Sequence, residues 1–352
     1  MRILVPTVYP TVGGSTRVLL AAASALAVDH DVVVRGPIVE ADEETQLMFS
    51  NRSFDKALAW LGATLQLARL TGAEIASLRG RAFDVIYVHD NPSLYVYGIV
   101  ARTLGARVVL HVHLEGSSLL EIVRKNIAHH AIHISNHSAA ASRRSVIIRN
   151  PVAPISVGRR PLSNEWVIAG SISRRKNQLF AVDVLAALLR SGLSGRLRLC
   201  GDVVDVGYVR QIRQRAAAIG EEERLVFDGF VEPRNYLASA SCLLMPSLLE
   251  NQPLAALEAV AAEVPVVASD IPAHRELVDL GCLPAAAVVP LIPETFAEAV
   301  VCAQKMPDMA VYAARVREIF SANKFSAELA AFFRIIERRH FAESQSSSVG
   351  AA

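Results

Sequence analysis

Short apolar runs alternate with longer Ala- and Leu-rich segments along most of the chain. In the first 150 residues the short runs are RILVPT, DVVVR, DVIYVHD, RVVLHVH, AIHIS and SVIIRN. Apolar runs of about four to eight residues are typical of buried strands, and the segments between them have the length of helices. The alternation therefore predicts βαβ units that build a parallel sheet.

The same alternation restarts after NPVAPISVGRRPLSNE, a stretch whose prolines, glycine and polar residues indicate a linker. The later short runs are WVIAG, RLRLC, RLVFDG, CLLMP, PVVAS and AAAVVP. A chain of 352 residues also exceeds the usual size of one hydrophobic core. We therefore predict two α/β domains, each a doubly wound parallel sheet, at residues 1–155 and 164–322.

The last thirty residues have a different pattern. FSAELAAFFRIIERRHF is amphipathic with a helical period, and it predicts a C-terminal helix over residues 323–341. The following AESQSSSVGAA is small and polar, so we expect a disordered tail over residues 342–352.

Composition and charge narrow the class of partner. The chain is 52% hydrophobic and 20% charged, as globular proteins are, and its net charge of +2 is spread along the sequence. A balanced charge disfavours nucleic acid as the main partner and leaves small molecules or a membrane surface. The four cysteines show no CxxC spacing, which favours reduced thiols.

The sequence also bears on location. Met1 leads directly into RILVPT without a charged leader or cleavage site, and no apolar run has the length of a membrane span. We therefore expect a cytoplasmic protein. SLLEIVRKNIAHH, with Arg124 and Lys125, is compatible with a helix on the cytoplasmic membrane surface, and a packed surface helix is the competing interpretation.

Two glutamates flank the start of a predicted helix in SLLENQPLAALEAVAAEVPVVASD. Glu250 lies in the loop after the strand CLLMP, Pro253 suits the first helical position, and Glu258 falls in the second turn. The N–H groups of a first helical turn lack intrahelical acceptors and attract anions. A phosphate there would have a carboxylate on either side to accept sugar hydroxyls, which suits a nucleotide sugar. Two solvent-exposed glutamates are the competing interpretation.

The longer stretch PSLLENQPLAALEAVAAEVPVVASDIPAHRELV resembles the donor-binding signature of retaining nucleotide-sugar glycosyltransferases of family four. The resemblance rests on the strand ending in Pro-Ser, the two glutamates eight positions apart, and the later Pro-Val-Val-Ala-Ser and Glu276. It implies the GT-B fold, in which two Rossmann-like domains face each other across a cleft. The first domain would bind the acceptor and the second the sugar donor.

The resemblance also implies roles for single residues. Glu250 would contact the hydroxyls of the donor sugar, and Glu258 the ribose. The backbone N–H groups of Leu254 and Ala255 would bind the diphosphate. Where the family commonly has Glu-Gly-Phe-Gly-Leu, this chain has Glu250, Asn251, Gln252, Pro253 and Leu254, so Asn251 and Gln252 join the predicted donor-binding residues and Pro253 lacks an N–H.

A basic loop follows the first strand of the second domain, in AGSISRRKNQ. It resembles the Gly-Arg-x4-Lys stretch of family four, whose two cations neutralise the leaving diphosphate. Lys176 matches the lysine, but Ser171 stands where the arginine is expected. Arg174 or Arg175 would have to replace it. A solvated basic turn is the competing interpretation.

Three further matches are weaker. His113 ends the strand in RVVLHVHLEG and resembles a family histidine whose imidazole or carbonyl lies beside the donor sugar, whereas His111 is predicted to be core. Gly13 and Gly14 in TVGGSTR resemble a double glycine near the donor phosphate and the acceptor. Val231 in FDGFVEPRNYLAS lies where family backbone groups contact the base. A structural histidine and a plain turn are the alternatives for the first two.

We predict neither a metal nor a bound cofactor. HHAIHISNH is rich in histidine, but its side chains would have to come from different elements and no HExxH or cysteine pair accompanies them. DHD at residues 29–31 precedes a strand, the wrong end of the sheet for an Asp-x-Asp metal site. The dinucleotide pattern GxGxxG is absent from the first strand-helix junction.

These observations favour a retaining, metal-independent glycosyltransferase of glycan biosynthesis. Its donor would be a nucleoside-diphosphate sugar, and its acceptor a glycan, a lipid-linked sugar or a small molecule. The resemblance implies front-face attack, in which the leaving phosphate takes the acceptor's proton. A nucleotide-sugar epimerase of the same fold is one alternative. A non-catalytic nucleotide-sugar-binding protein is another, because of Ser171.

Overall fold

A computed structural model describes the fold of the chain. The described residues are 1–7, 14–36, 56–89, 91–113, 126–139, 145–155, 157, 164–305 and 309–349. The chain divides into two compact units: unit 1 comprises Met1–Pro151 and Asn323–Ala352, and unit 2 comprises Val152–Ala322. Each unit contains a six-stranded sheet in which every neighbouring pair of strands is parallel. The predicted α/β class with two doubly wound parallel sheets is confirmed.

Unit 1 has the strand order β2-β1-β3-β4-β5-β6. Its strands are β1 Arg2–Pro6, β2 Asp31–Arg35, β3 Val85–Val88, β4 Arg107–Val112, β5 His130–His133 and β6 Ser145–Ile147. Its first three described helices are α1 Gly14–Leu26, α2 Lys56–Leu78 and α3 Asn91–Leu104. β1, β3 and β4 are almost entirely buried, as expected for central strands covered on both faces.

A buried polar group ties the helices of unit 1 to its sheet. The Arg35 guanidinium at the end of β2 donates to the Glu74 carboxylate of α2 at 2.7 Å. The Tyr97 hydroxyl of α3 donates to the same carboxylate, also at 2.7 Å. Glu74 is 4% exposed, so its charge needs these partners.

Unit 2 has the strand order β12-β11-β10-β7-β8-β9. Its strands are β7 Glu165–Ala169, β8 Arg196–Cys200, β9 Leu225–Gly229, β10 Cys242–Met245, β11 Val266–Ser269 and β12 Val288–Val289. Its helices are α4 Gln178–Arg190, α5 Val206–Ala218, α6 Pro233–Ser239, α7 Leu254–Ala261, α8 Pro272–Asp279, α9 Pro293–Gln304 and α10 Ala310–Ile319.

The sheet of unit 2 separates two hydrophobic cores. Successive residues of a strand point to opposite faces, and β10 shows this directly. Cys242 and Leu244 pack into one core, while Leu243 and Met245 pack into the other. Both faces of β10 contact a hydrophobic core, so all four of its residues are apolar. This explains why the strand is an unbroken apolar run in the sequence.

The strand order places three loops side by side. β7, β10 and β11 are neighbours in the sheet and run parallel, so their carboxyl ends lie at one edge. The loops that leave this edge begin at Gly170, Pro246 and Asp270. Ligands of open parallel sheets bind at such edges.

The last helix, α11 Ala322–Val349, belongs almost entirely to unit 1. Phe333 is fully buried, with its ring centroid 6.0 Å from that of Tyr87 in β3. The amino group of Met1 donates to the Glu337 carboxylate at 3.2 Å. The structure continues the helix to Val349, whereas the sequence predicted its end at residue 341. No described helix combines the length and apolarity needed to span a bilayer.

Phe333→Ala should destabilise unit 1, because it removes a fully buried ring that packs α11 against the sheet. We expect a loss of about 3–5 kcal/mol in the free energy of unfolding, measured by chemical denaturation. Ile335→Ala on the same helix is the control, since Ile335 is 51% exposed. Equal effects of the two changes would contradict this description of the helix.

Candidate functional site

The loop after β7 folds back on itself at Gly170. This residue has a φ of +123°, and a Cβ built on it would lie 2.9 Å from Cε of Lys176. Gly201 directly follows the neighbouring strand β8, and a Cβ built on it would lie 2.1 Å from the Gly170 carbonyl oxygen. Both positions therefore require glycine, and the space they leave is occupied by the Lys176 side chain and by backbone.

The rest of this loop is held by local hydrogen bonds. The Lys176 N–H donates to the Ser173 carbonyl at 3.0 Å. The buried Gln178 side chain accepts from the Ser173 N–H at 3.3 Å and donates to the Ser171 carbonyl at 3.0 Å. Asn177 takes the left-handed conformation, with a φ of 56°, immediately before α4. These hydrogen bonds fix the backbone conformation of the loop, including the backbone of Lys176.

Lys176 and Glu250 form a buried ion pair between the loops after β7 and β10. Lys176 Nζ donates to Glu250 Oε1 at 2.7 Å, and the two side chains are 11% and 7% exposed. Arg175 Nη1 donates to the other carboxylate oxygen, Glu250 Oε2, at 3.0 Å. Two cations on one carboxylate leave a net charge of +1, so this cluster can attract an anion.

The electrostatics of Glu250 follow from this contact. Burial alone would raise the pKa of its carboxyl group, but the charges of Lys176 and Arg175 and the hydrogen bond from Lys176 lower the pKa from 4.5 to about 2. Glu250 is therefore ionised near neutral pH and accepts hydrogen bonds.

The structure distinguishes Arg175 from Arg174. Arg175 also donates from Nη1 to the Leu249 carbonyl at 3.0 Å, and its own carbonyl accepts from the Leu248 N–H at 2.8 Å. Arg174 points to Asp205, 3.5 Å away, and its guanidinium carbon lies 5.3 Å from the centre of the Tyr208 ring. Only Arg175 of this pair joins the cluster with Lys176 and Glu250.

The second glutamate lies on α7, and the helix begins one residue later than predicted. Pro253 caps the helix with φ −77° and ψ 83°, and the first helical residue is Leu254. The Pro253 carbonyl accepts from the Leu257 N–H at 3.2 Å, so the proline already takes part in the helical hydrogen bonding. The N–H groups of Leu254 and Ala255 belong to the first turn. Glu258 is 5% exposed, which excludes the interpretation as a solvated surface residue.

The remaining predicted residues of unit 2 lie at the same edge of the sheet. Asn251 is 3% exposed and Gln252 is half-buried, both in the loop between Glu250 and Pro253. Val231 follows β9 and packs against the core on one face of the sheet.

His274 is a buried residue of this edge that sequence reasoning did not single out. It lies in the first turn of α8, and its Nδ1–H donates to the Ser269 carbonyl at the end of β11 at 2.7 Å. Burial lowers the pKa of its imidazole, the bond to Ser269 and the charge of Glu250 oppose that shift, and the charge of Lys176 adds to it. The sequence feature that could have identified His274 is its position shortly after the predicted strand PVVAS.

In unit 1, His113 lies directly after β4 within a group of histidines. Its ring centroid is 4.4 Å from that of His111 and 6.1 Å from that of His89. Its Nδ1 accepts from Asn150 Nδ2 at 3.4 Å. Burial, together with the charge of His89, lowers the pKa of His113 to about 3, so the ring is neutral near pH 7. His111 is 1% exposed and within 2.6 Å of the Tyr87 hydroxyl, which places it in the core as predicted.

Several predictions concern residues that lie outside the described ranges or next to a gap in them. Gly13 lies outside the described residues, and Gly14 is the first residue of α1. Arg124 and Lys125 also lie outside them. Within the described ranges, no three His, Cys, Asp or Glu residues are grouped so that they could hold a metal ion.

Part of the chain matches a known protein family. Residues 163–305 match the family model described as Glycosyl transferases group 1, a range that contains Lys176, Glu250 and Glu258. A comparison with curated protein sequences finds no match. The family match thus lies within unit 2, where the charged cluster is found.

The fold is shared with solved structures over nearly the whole chain. HepE from Anabaena in complex with UDP-glucose is 18% identical with a TM-score of 0.74, covering 95% of this chain and 99% of HepE. Sucrose-phosphate synthase from Thermosynechococcus elongatus is 15% identical with a TM-score of 0.73, covering 96% and 99%. An E. coli trehalose-6-phosphate structure bound with UDP-2-fluoro glucose is 13% identical with a TM-score of 0.69, covering 96% and 99%. The chain therefore has the GT-B fold.

Glu250→Gln should destabilise the protein near neutral pH, because it leaves the buried Lys176 ammonium without its counter-charge. Breaking a buried ion pair in this way costs about 3–5 kcal/mol. Since the pKa of Glu250 is lowered from 4.5 to about 2, its contribution is present above the higher value and lost as the pH falls through the lower one. Chemical denaturation should show the difference between parent and variant shrinking across that range.

Glu294→Gln provides the matched control for this prediction. Glu294 pairs with Arg190 in the same unit, but the two side chains are 63% and 64% exposed. Exposed pairs contribute little to stability, so this variant should follow the parent at each pH. A destabilisation by Glu250→Gln that stays constant as the pH falls would contradict the lowered pKa.

Proposed function

We propose that the chain is a retaining glycosyltransferase of family four that transfers a sugar from a nucleoside-diphosphate sugar to an acceptor. The observation that carries this proposal is the buried contact of Lys176 and Arg175 with Glu250, beside the first turn of α7. It combines cations for a diphosphate with a carboxylate for sugar hydroxyls. The family match of unit 2 supports the same reaction class.

The donor would occupy the edge formed by the loops after β7, β9 and β10. Backbone groups near Val231 would contact the base, Glu258 the ribose, and the N–H groups of Leu254 and Ala255 the diphosphate, with Asn251 and Gln252 lining the loop. UDP-glucose is the first donor to assay, because HepE was solved with it. For the first domain, the family resemblance implies contacts of His113, Gly13 and Gly14 with the donor or the acceptor.

The chemical step needs charge stabilisation on the leaving group. As the glycosidic C–O bond breaks, its electron pair moves to the diphosphate oxygen, where Lys176 and Arg175 would stabilise the added charge. The acceptor hydroxyl attacks the same face of the sugar, forms the new C–O bond and gives its proton to the leaving phosphate. No step uses a metal ion, a cofactor or a protein base. We propose a metal-independent reaction because Lys176 and Arg175 would stabilise the charge on the leaving diphosphate.

An incubation of the purified chain with nucleoside-diphosphate sugars, followed by mass spectrometry, tests the proposal. Water and simple alcohols serve as acceptors, and a parallel sample contains a chelator. We expect slow donor hydrolysis or transfer with retained anomeric configuration, unchanged by the chelator. Interconversion of the donor sugar would instead indicate an epimerase, and binding without turnover a non-catalytic protein. Loss of activity that magnesium or manganese restores would contradict metal independence.

The physiological acceptor is a separate part of the proposal. We propose a glycan, lipid-linked or small-molecule acceptor in the cytoplasm or at the cytoplasmic face of a membrane. We expect residues 36–83 and 114–127 of the first domain to determine the acceptor. Within these ranges, residues 37–55 and 114–125 lie outside the described residues, and Lys56–Leu78 form α2 instead of a loop. Sedimentation with vesicles that contain anionic lipids would test membrane contact.

Lys176→Ala should lower turnover more than it weakens donor binding, because the charge on the leaving diphosphate grows as the bond breaks. We expect a loss in kcat on the order of 10²-fold or more, by analogy with removal of one pre-organised donor. Arg175→Ala should also be damaging. Arg174→Ala is the matched control, since Arg174 contacts Asp205 and Tyr208, and it should be mild. Turnover of Lys176→Ala at the parent rate would overturn the mechanism.

Glu258→Ala and Glu250→Ala should differ in their ligand dependence. If Glu258 contacts the ribose, its loss should weaken both the nucleoside diphosphate and the nucleotide sugar. Loss of Glu250 should spare the free nucleotide and lower turnover of the sugar, because its proposed contact is to sugar hydroxyls. Calorimetry with both ligands measures the difference. Equal losses of nucleotide affinity in the two variants would refute these roles.

A further inference from the structure

A continuous set of hydrogen bonds joins the carboxyl ends of β11, β10 and β7. His274 Nδ1–H donates to the Ser269 carbonyl at 2.7 Å, and the Ser269 hydroxyl donates to the Ser247 carbonyl at 2.5 Å. The next residue, Leu248, donates its N–H to the Arg175 carbonyl at 2.8 Å. The three loops of the candidate site are therefore fixed to one another through backbone groups.

The bonds made by His274 and Ser269 are buried, whereas Leu248 is 53% exposed. Ser269 and His274 are both 0% exposed, and Ser247 is 1% exposed. A buried carbonyl without a donor is destabilising, so the Ser269 hydroxyl favours the observed position of Ser247.

The hydrogen bond from the Ser269 hydroxyl to the Ser247 carbonyl, here called the Ser247 anchor, fixes one end of a very short segment. Only Leu248 and Leu249 separate Ser247 from Glu250. Leu248 is bound through its N–H to the Arg175 carbonyl, and Leu249 through its carbonyl to the Arg175 guanidinium at 3.0 Å. With the two leucines held on one side by Arg175 and Ser247 held on the other by Ser269, the backbone has little freedom to shift Glu250.

His274 in turn fixes the residue that makes this anchor. Since its Nδ1–H is committed to the Ser269 carbonyl, the neutral ring carries its lone pair on Nε2, a buried atom without a hydrogen-bond partner. The same Nδ1 also lies 3.4 Å from the Ser269 hydroxyl oxygen, whose proton is given to the Ser247 carbonyl, so His274 contacts both polar groups of Ser269. Neither residue belongs to the charged cluster itself.

We propose that Ser269 and His274 are positioning residues that hold the Glu250 carboxylate against Lys176 and Arg175. They act through the backbone of residues 247–249, not by contact with substrate. The consequence for sugar transfer rests on the proposed function, whereas the consequence for the geometry of Glu250 does not. The two are therefore tested by separate measurements.

The first measurement is an NMR titration of the Glu250 carboxyl carbon, with the signal assigned by its loss in Glu250→Gln. In Ser269→Ala the contact with Lys176 should loosen, and the pKa of Glu250 should rise from about 2 towards the ordinary 4.5. Ser269→Thr keeps the hydroxyl and should titrate like the parent. A Ser269→Ala protein that titrates like the parent would overturn the proposal.

Ser191→Ala is the matched control for loss of a serine hydroxyl. Ser191 Oγ donates to the Leu188 carbonyl at 2.7 Å at the end of α4, the same type of bond in the same unit. This variant should leave the Glu250 titration unchanged. A shift as large as that of Ser269→Ala would show that general loosening of the unit, not the Ser247 anchor, moves Glu250.

Two substitutions of His274 separate its donor from its bulk. Asparagine places an N–H near the position of Nδ1, so His274→Asn should retain the parent titration of Glu250. His274→Leu fills the space without a donor and should behave like Ser269→Ala. Identical titrations of both variants would remove His274 from the proposal.

The second measurement uses the donor assay. If the proposed function holds, Ser269→Ala should lower kcat on the order of 10- to 10²-fold, because small misplacements of a catalytic group have effects of this size. Its affinity for the free nucleoside diphosphate should stay at the parent value, and Ser269→Thr should restore kcat. Equal losses for nucleotide and nucleotide sugar would indicate a structural role and contradict positioning. Absence of turnover in the parent protein would refute the proposed function, while the titration would still decide the positioning role.

Discussion

The buried contact between Lys176 and Glu250 is the interaction around which the candidate site is organised. Removing two charged groups from water is costly, and a contact at 2.7 Å offsets that cost only if the remaining polar atoms are also bound. Arg175 binds the second carboxylate oxygen, and Gly170 leaves room for the lysine chain beside the backbone. This ion pair thus joins two loops that are more than seventy positions apart in sequence.

The topology of the sheet makes this contact available. β7 lies between β8 and β10, and β11 lies beyond β10, so residues from three distant segments leave the sheet at one edge. The strands β7, β10 and β11 are buried on both faces, and Leu243 and Leu244 of β10 show this by packing into opposite cores. The scaffold is consequently rigid on either side of the sheet, and the loops at its edge carry the polar chemistry.

Much of this arrangement is readable from the sequence, and the rest depends on tertiary contacts. Unbroken apolar runs predicted the parallel strands, and motif spacing singled out Lys176 and Glu250. No pattern shows that these two side chains touch, or that Arg175 and not Arg174 joins them, because adjacent residues of a loop diverge according to their neighbours. Ser269 was noted only as the last residue of Pro-Val-Val-Ala-Ser, because no spacing in the sequence indicates that its hydroxyl contacts Ser247. The helix through residue 349 was missed because its polar composition lacks the apolar stripe of a packed helix.

The presence of Arg175 and Lys176 on the same carboxylate has a consequence for selectivity. Lys176 Nζ carries three N–H donors and gives one to Glu250, so an incoming anion can bind the other donors while the ion pair stays in place. An anion alone uses the remaining donors of the cations and makes no use of the remaining lone pairs of the carboxylate. A ligand that carries a phosphate and hydroxyl groups at the right separation satisfies both at once. If the chain binds a nucleotide sugar as proposed, the cluster would therefore favour the intact donor over a ligand that lacks the sugar.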